Sequence, residues 1–166
     1  MIHALDEFFQ TWAGESDATL KMLRALTDAS LAQPIAPGHR TLGRIAWHIA
    51  LTIREMMERT GLAIDGPAPD APMPEDAKAI ADAYETSSRS LVDAIQRNWT
   101  DASLAVEDNL YGGMWTRATT LSVLVNHQIH HRGQMTALMR QAGLRVPGIY
   151  GPAQEDWASM GMEPLP

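Results

Sequence analysis

Two histidines, His127 and His131, stand four residues apart in a segment with helical periodicity. At one turn per 3.6 residues they lie about 40° apart on one helix face. Leu124, Gln134, Met135 and Leu138 share that face, so it points largely inward. A third histidine, His48, belongs to the apolar stripe of another segment, with Ile45, Ile49 and Thr52. Three neutral imidazoles converging from two helices form a donor set suited to zinc, nickel, copper or iron(II). Three protein ligands with an open fourth position are the pattern of a catalytic zinc site. Core histidines that only make hydrogen bonds are the competing reading. His130 lies about 100° from His131, off the shared face, and is assigned an outer-shell or surface role. His3 and His39 fall at the terminus and in a loop, where solvated surface is expected.

Several chemistries drop out. The chain has no cysteine, which removes disulfides, thiol nucleophiles and thiolate-bound metal. Gln128 occupies the place of the general-base glutamate in a His-Glu-x-x-His peptidase helix, and an amide cannot act as that base. No glutamate is followed by histidine three residues later, so a di-iron carboxylate bundle is disfavoured. Haem held by His and Met remains open, but c-type attachment does not.

The elements that position these residues read as helices. Leu5, Phe8, Phe9, Trp12, Leu20, Leu23 and Leu26 predict a first helix over about 4–29, with an uncertain patch at Gly14-Glu15-Ser16. A short loop over 34–40 precedes a second helix capped by Thr41 and ended near Thr60 by Gly61. Residues 61–74 carry four prolines and predict a crossover. A third helix is expected from about Pro74-Glu75-Asp76 to Trp99. Residues 100–118 read as irregular, with Leu104-Ala105-Val106 as a short extended piece, and as a second connection long enough to cross the bundle. A fourth helix is expected from Thr119 or Thr120 to Gly143 as its C′ residue. The proline- and glycine-rich tail from Leu144 is expected to be ordered only where it folds back. Four amphipathic helices without a convincing strand pair predict an all-α fold, a four-helix bundle with crossover connections, as a single domain over 1–166.

The chain has 166 residues and a formal charge of −7, with 13 Lys+Arg against 20 Asp+Glu. That balance opposes a broad phosphate-binding surface, so no nucleic-acid partner is expected. No apolar stretch reaches the ~18 residues of a membrane span, and the N-terminus lacks a signal pattern. A cytoplasmic protein is the expectation.

The run Asn126-His127-Gln128-Ile129-His130-His131-Arg132-Gly133-Gln134-Met135 resembles the signature of the DinB/YfiT-like family. Leu42-Gly43-Arg44-Ile45-Ala46-Trp47-His48-Ile49-Ala50 is similar to the setting of that family's first histidine. Leu138 to Gly143 and Tyr150-Gly151-Pro152 also look like the family. The resemblance implies a crossover four-helix bundle with one divalent metal, zinc or nickel foremost, on His48, His127 and His131. It also implies a homodimer and thiol-dependent transfer or isomerisation with a low-molecular-weight thiol. A large number of apolar residues for one small bundle points to the dimer as well.

Other residues receive lesser roles. Gln134 is placed near the pocket as a hydrogen-bonding residue behind the ligands, along with His130. Arg132 is read as a surface or helix-end residue paired with an acid. Gly133 is read as permitting close helix approach. Trp12, Trp47 and Trp115 are assigned to packing, and Tyr111 and Tyr150 to loops that could cover the metal end. The functional expectation is a mononuclear metal-dependent enzyme, a thiol S-transferase, isomerase or hydrolase acting on a small molecule. The alternative is a non-catalytic small-molecule-binding or metal-stabilised structural bundle.

Overall fold

The structure is a computed structural model that describes residues 2–163. Its frame is four helices, α1 (Leu5–Arg24), α2 (Leu42–Glu58), α3 (Ala77–Asn98) and α4 (Arg117–Gln141). α1 and α2 each pack on both α3 and α4. The α1–α2 and α3–α4 connections therefore run across the bundle, whereas the 61–74 segment joins packed neighbours. The four-helix bundle expected from the sequence is the observed fold; of the two expected crossings 100–118 is one and 61–74 is not, and the first connection crosses in its place.

The apolar stripes meet in one core. Phe8, Trp12, Met22 and Leu23 of α1 are buried with Leu42, Ile45, Ile49, Ile53 and Met57 of α2. Ile80, Tyr84, Leu91 and Ile95 of α3 and Leu121, Leu124, Met135 and Leu138 of α4 complete it. Burying each such side chain stabilises by about 1.5–3 kcal/mol before chain entropy is counted. Trp12 and Trp47 belong to this packing. Trp12 Nε1 donates to Ser88 Oγ at 3.0 Å, and Trp47 Nε1 donates to the Ala71 carbonyl at 2.9 Å.

Local chemistry sets the helix ends. α1 stops at Arg24, short of Ala29, because Thr27 and Ser30 form a reciprocal capping box that opens a 3-10 turn over Asp28–Ala32. The first connection is longer than the expected loop as a result. The Gly14-Glu15-Ser16 patch is continuous helix. Thr41 caps α2, accepting from the Arg44 N–H at 3.2 Å. Gly43 is required beside it, since a Cβ there would stand 2.9 Å from the Leu31 Cβ. α3 begins at Ala77, after Asp76 as its cap, so Pro74 lies outside the helix. α4 ends in a Schellman motif. The Gly143 N–H donates to Arg140 O at 3.0 Å, and the Leu144 N–H donates to Met139 O at 2.9 Å.

Residues 100–118 depart from the expectation of irregular chain. Asp101–Ala105 is a 3-10 turn, so the extended piece expected at Leu104-Ala105-Val106 is not there. A two-stranded antiparallel hairpin follows, β1 (Glu107–Leu110) and β2 (Gly113–Thr116), with Asp108 opposite Trp115. Its turn residues, Tyr111 and Gly112, both have positive φ, at 52° and 83°. That is the signature of a type I′ hairpin turn. Arg117 fixes the hairpin to the body, donating to Asp108 Oδ2 at 2.9 Å and to the Thr60 carbonyl at 3.0 Å. α4 starts at Arg117, capped by Thr116, two to three residues before the expected start.

The tail folds back on α1 and α4. Val146 is buried, Lys21 donates to the Gly148 carbonyl, and Arg140 and Arg145 pair with Glu155 and Asp156. Among the described residues no helix is long and apolar enough to cross a membrane.

Candidate metal centre

His48 comes from the first half of α2, and His127 and His131 from the middle of α4. These two helices pack against each other, so the three side chains meet between them. The ring centroids are 4.4 to 4.9 Å apart. Nε2 of His127 lies 3.1 Å from Nε2 of His48 and 3.1 Å from Nε2 of His131. One donor atom from each ring falls within 4.8 Å of the other two. Ligands at about 2.0–2.1 Å in a tetrahedron stand about 3.3–3.4 Å apart, so the spacing suits a single small cation. Among the described residues no carboxylate joins the cluster.

Protonation supports the same use. Gln134 Oε1 is 2.7 Å from Nδ1 of His131, and a carbonyl oxygen can only accept. Nδ1 of His131 therefore carries the proton and its Nε2 presents a lone pair to the centre. Gln134 Nε2 donates onward to His130 Nε2 at 3.2 Å, so His130 sits behind the cluster, exposed, and reaches it through Gln134. The Nδ1 of His127 is buried without a hydrogen-bond partner among the described residues. Burial, followed by the neighbouring imidazoles, lowers His48 and His127 to about 4, and burial lowers His131 as well. All three are neutral at pH 7, as metal ligation requires. A cation bound there would take one nitrogen lone pair from each ring in place of these imidazole–imidazole contacts.

The mouth of the cluster carries charges that the histidine pattern did not point to. Arg40 disfavours protonation of all three imidazoles, and Arg44 that of His48. Glu55 favours protonation of His127. Its oxygens are held by Arg59 at 3.0 Å and by the Tyr111 hydroxyl at 2.6 Å. Arg44 and Glu55 are four before and seven after His48, so helical arithmetic places them on its face. Arg40 is placed by a loop, and no local signal marks it.

Some expected roles are corrected. Arg132 pairs with an acid, but it is buried, not at the surface. Its guanidinium is bound to the Glu15 carboxylate, the Glu15 carbonyl and Thr19 Oγ1. Tyr150 covers that pair and not the histidines, since its hydroxyl donates to Glu15 Oε2 at 2.8 Å. Gly133 is exposed, and a Cβ there would meet nothing within 4 Å, so it serves no close helix approach. Gln128 is fully buried and accepts from Thr19 and Tyr84, on the side of α1 and α3. His3 and His39 are exposed and are not part of the cluster.

The comparisons with known proteins agree with the fold. The protein YrdA of Bacillus subtilis (strain 168), described as uncharacterized, is 48% identical over 163 residues, 98% of each chain. The crystal structure of a DinB-like protein from Bacillus cereus ATCC 10987 superposes with a TM-score of 0.87 at 49% identity. That match covers 90% of this chain and 100% of the other. A DinB-like protein of Bacillus subtilis, YjoA, shares the fold at a TM-score of 0.67 and 16% identity, over 86% of this chain and 96% of its own. The DinB family model matches residues 1–164, and the chain belongs to the DinB family.

Proposed function

We propose that this protein is a mononuclear metal-dependent enzyme that uses a low-molecular-weight thiol in transfer or isomerisation chemistry on a small molecule. The observation that carries the reading is the convergence of three Nε2 atoms on one point with no carboxylate among the described residues beside them. The donor set fits a divalent ion, with zinc or nickel the best matches to three imidazoles. Such an ion, when bound, lowers the pKa of a thiol or water at its open position and supplies a nucleophile at neutral pH.

The chain's own residues do the rest. His48, His127 and His131 would hold the ion through Nε2. Gln134 fixes the His131 tautomer and ring orientation. The core residues around the site, Ile45, Ile49, Leu124 and Met135, keep water from its inner side. The protein contains no thiol, so the thiol comes from solution. Screening zinc- and nickel-loaded protein for transfer of cysteine, glutathione and related thiols to electrophiles tests the reading. Turnover that disappears in His127→Ala is the expected result. Full metal loading without turnover for any thiol would favour a binding or structural role.

A further inference from the structure

Nine of the thirteen lysines and arginines are held in ion pairs. Among the described residues, the four without an acidic partner are Lys21, Arg40, Arg44 and Arg97. In a chain of charge −7, acids are plentiful, so an unpaired arginine is a choice of position. Two of these four flank the histidine cluster. Arg44 stands one turn before His48 on α2, and both are on the same face. Arg40 ends a loop that is pinned at its base. The Ile35 N–H donates to Arg40 O at 3.1 Å, and the Leu42 N–H donates to Gln33 O at 2.8 Å. Gln33 also reaches Gln141 on α4. Arg40 thus stands just ahead of the Thr41 cap of α2, four residues before Arg44, and its charge disfavours protonation of all three rings. Both guanidiniums are exposed. Glu55, which favours protonation of His127, already has its charge matched by Arg59.

We propose that Arg40 and Arg44 form an anion subsite at the mouth of the three-histidine cluster, for an oxyanion, carboxylate or phosphate, on the molecule presented to the metal. The proposal rests on the metal reading above and names the substrate class it favours: a thiol that carries an anionic group at its other end. Guanidinium forks bind oxyanions through paired charge-assisted hydrogen bonds, and a metal-bound head would hold the molecule in register with them. The arrangement selects anionic molecules against the protein's overall negative field, which otherwise repels them.

The test uses full-length protein loaded with cobalt(II), whose visible bands report thiolate binding. Mercaptosuccinate is titrated against neutral 2-mercaptoethanol, with succinate and inorganic phosphate as competitors. Mercaptosuccinate is expected to bind about tenfold tighter at low salt. The preference should vanish in the Arg40→Gln, Arg44→Gln double variant, which still binds cobalt and 2-mercaptoethanol. Stronger competition by succinate than by phosphate assigns a carboxylate, and the reverse assigns a phosphate. Equal affinity for the two thiols in the wild type, or a preference that survives in the double variant, overturns the proposal. If no cobalt bands form, it is the metal reading that has failed. The subsite is then read from nuclear magnetic resonance of the metal-free protein. Saturable shifts with succinate or phosphate that are lost in the double variant support it, and their absence overturns it.

Discussion

Nδ1 of His131 and Oε1 of Gln134 are 2.7 Å apart, one turn of α4 from each other. That contact decides which nitrogen of His131 faces the cluster. Replacing the amide with an apolar group of similar size removes the acceptor and frees the ring to rotate or change tautomer. Gln134→Leu is expected to weaken metal binding about 10–100-fold with little loss of stability, since Gln134 is only partly buried. Competition with a chromogenic chelator measures it. Unchanged affinity would mean that the contact does not orient the ligand.

His127 lies at the centre of the set, within 3.1 Å of both partners. His127→Ala is expected to abolish tight metal binding and leave a helical, cooperatively melting protein. The apolar core spans all four helices and does not depend on the cluster. In the wild type, bound metal should add a few kcal/mol through mass action alone, about 2.7 kcal/mol at one hundred times its dissociation constant. Circular dichroism with thermal melts, with and without zinc, gives both values. A disordered variant would instead make the site structural.

The lowered pKa values set a pH window. His48 and His127 titrate at about 4 in the folded protein and near 6.5 when unfolded. Between those values the unfolded chain binds more protons, so metal-free stability should fall as pH falls from 6.5 toward 4. His48→Leu should reduce that slope. Free imidazole would lose metal below about pH 6.5. Here burial delays protonation, so affinity should hold to about pH 5 before it drops. Urea melts and chelator competition across this range report the two effects. Metal loss already complete at pH 6 would contradict the account.

The sequence carried the helices and the histidine set because each depends on spacing within one helix. His127 and His131 share a face by arithmetic, and Thr41 and Gly143 mark real helix ends. What it did not carry depends on contacts between elements. The β1–β2 hairpin was hidden because its type I′ turn uses Tyr111 in place of the usual Asn or Gly. Arg132 looked like surface because its partner, Glu15, lies 117 residues away on α1. Burial of that pair follows from the α1–α4 packing and is invisible in the local pattern. The surroundings of Gly133 are equally invisible in the local pattern, as only the packed structure shows that no helix approaches it.

The chain is expected to form a homodimer. Most of the apolar residues that suggested a partner are consumed in the core of one copy. Val106, Tyr111 and Met114, in and beside the hairpin, remain exposed. Light scattering at micromolar concentration should give about twice 18.2 kDa, with an interface above about 1,000 Å². A mass of one chain throughout would reject the dimer.

The central claim is that His48, His127 and His131 hold one metal with its fourth position open to a small molecule. Crystals of untagged protein grown with zinc, measured on both sides of the zinc absorption edge, test it most directly. The account predicts one anomalous peak between the three Nε2 atoms, about 2.0–2.1 Å from each, with a non-protein fourth ligand. No peak there, or a fourth position closed by a protein side chain, would contradict it.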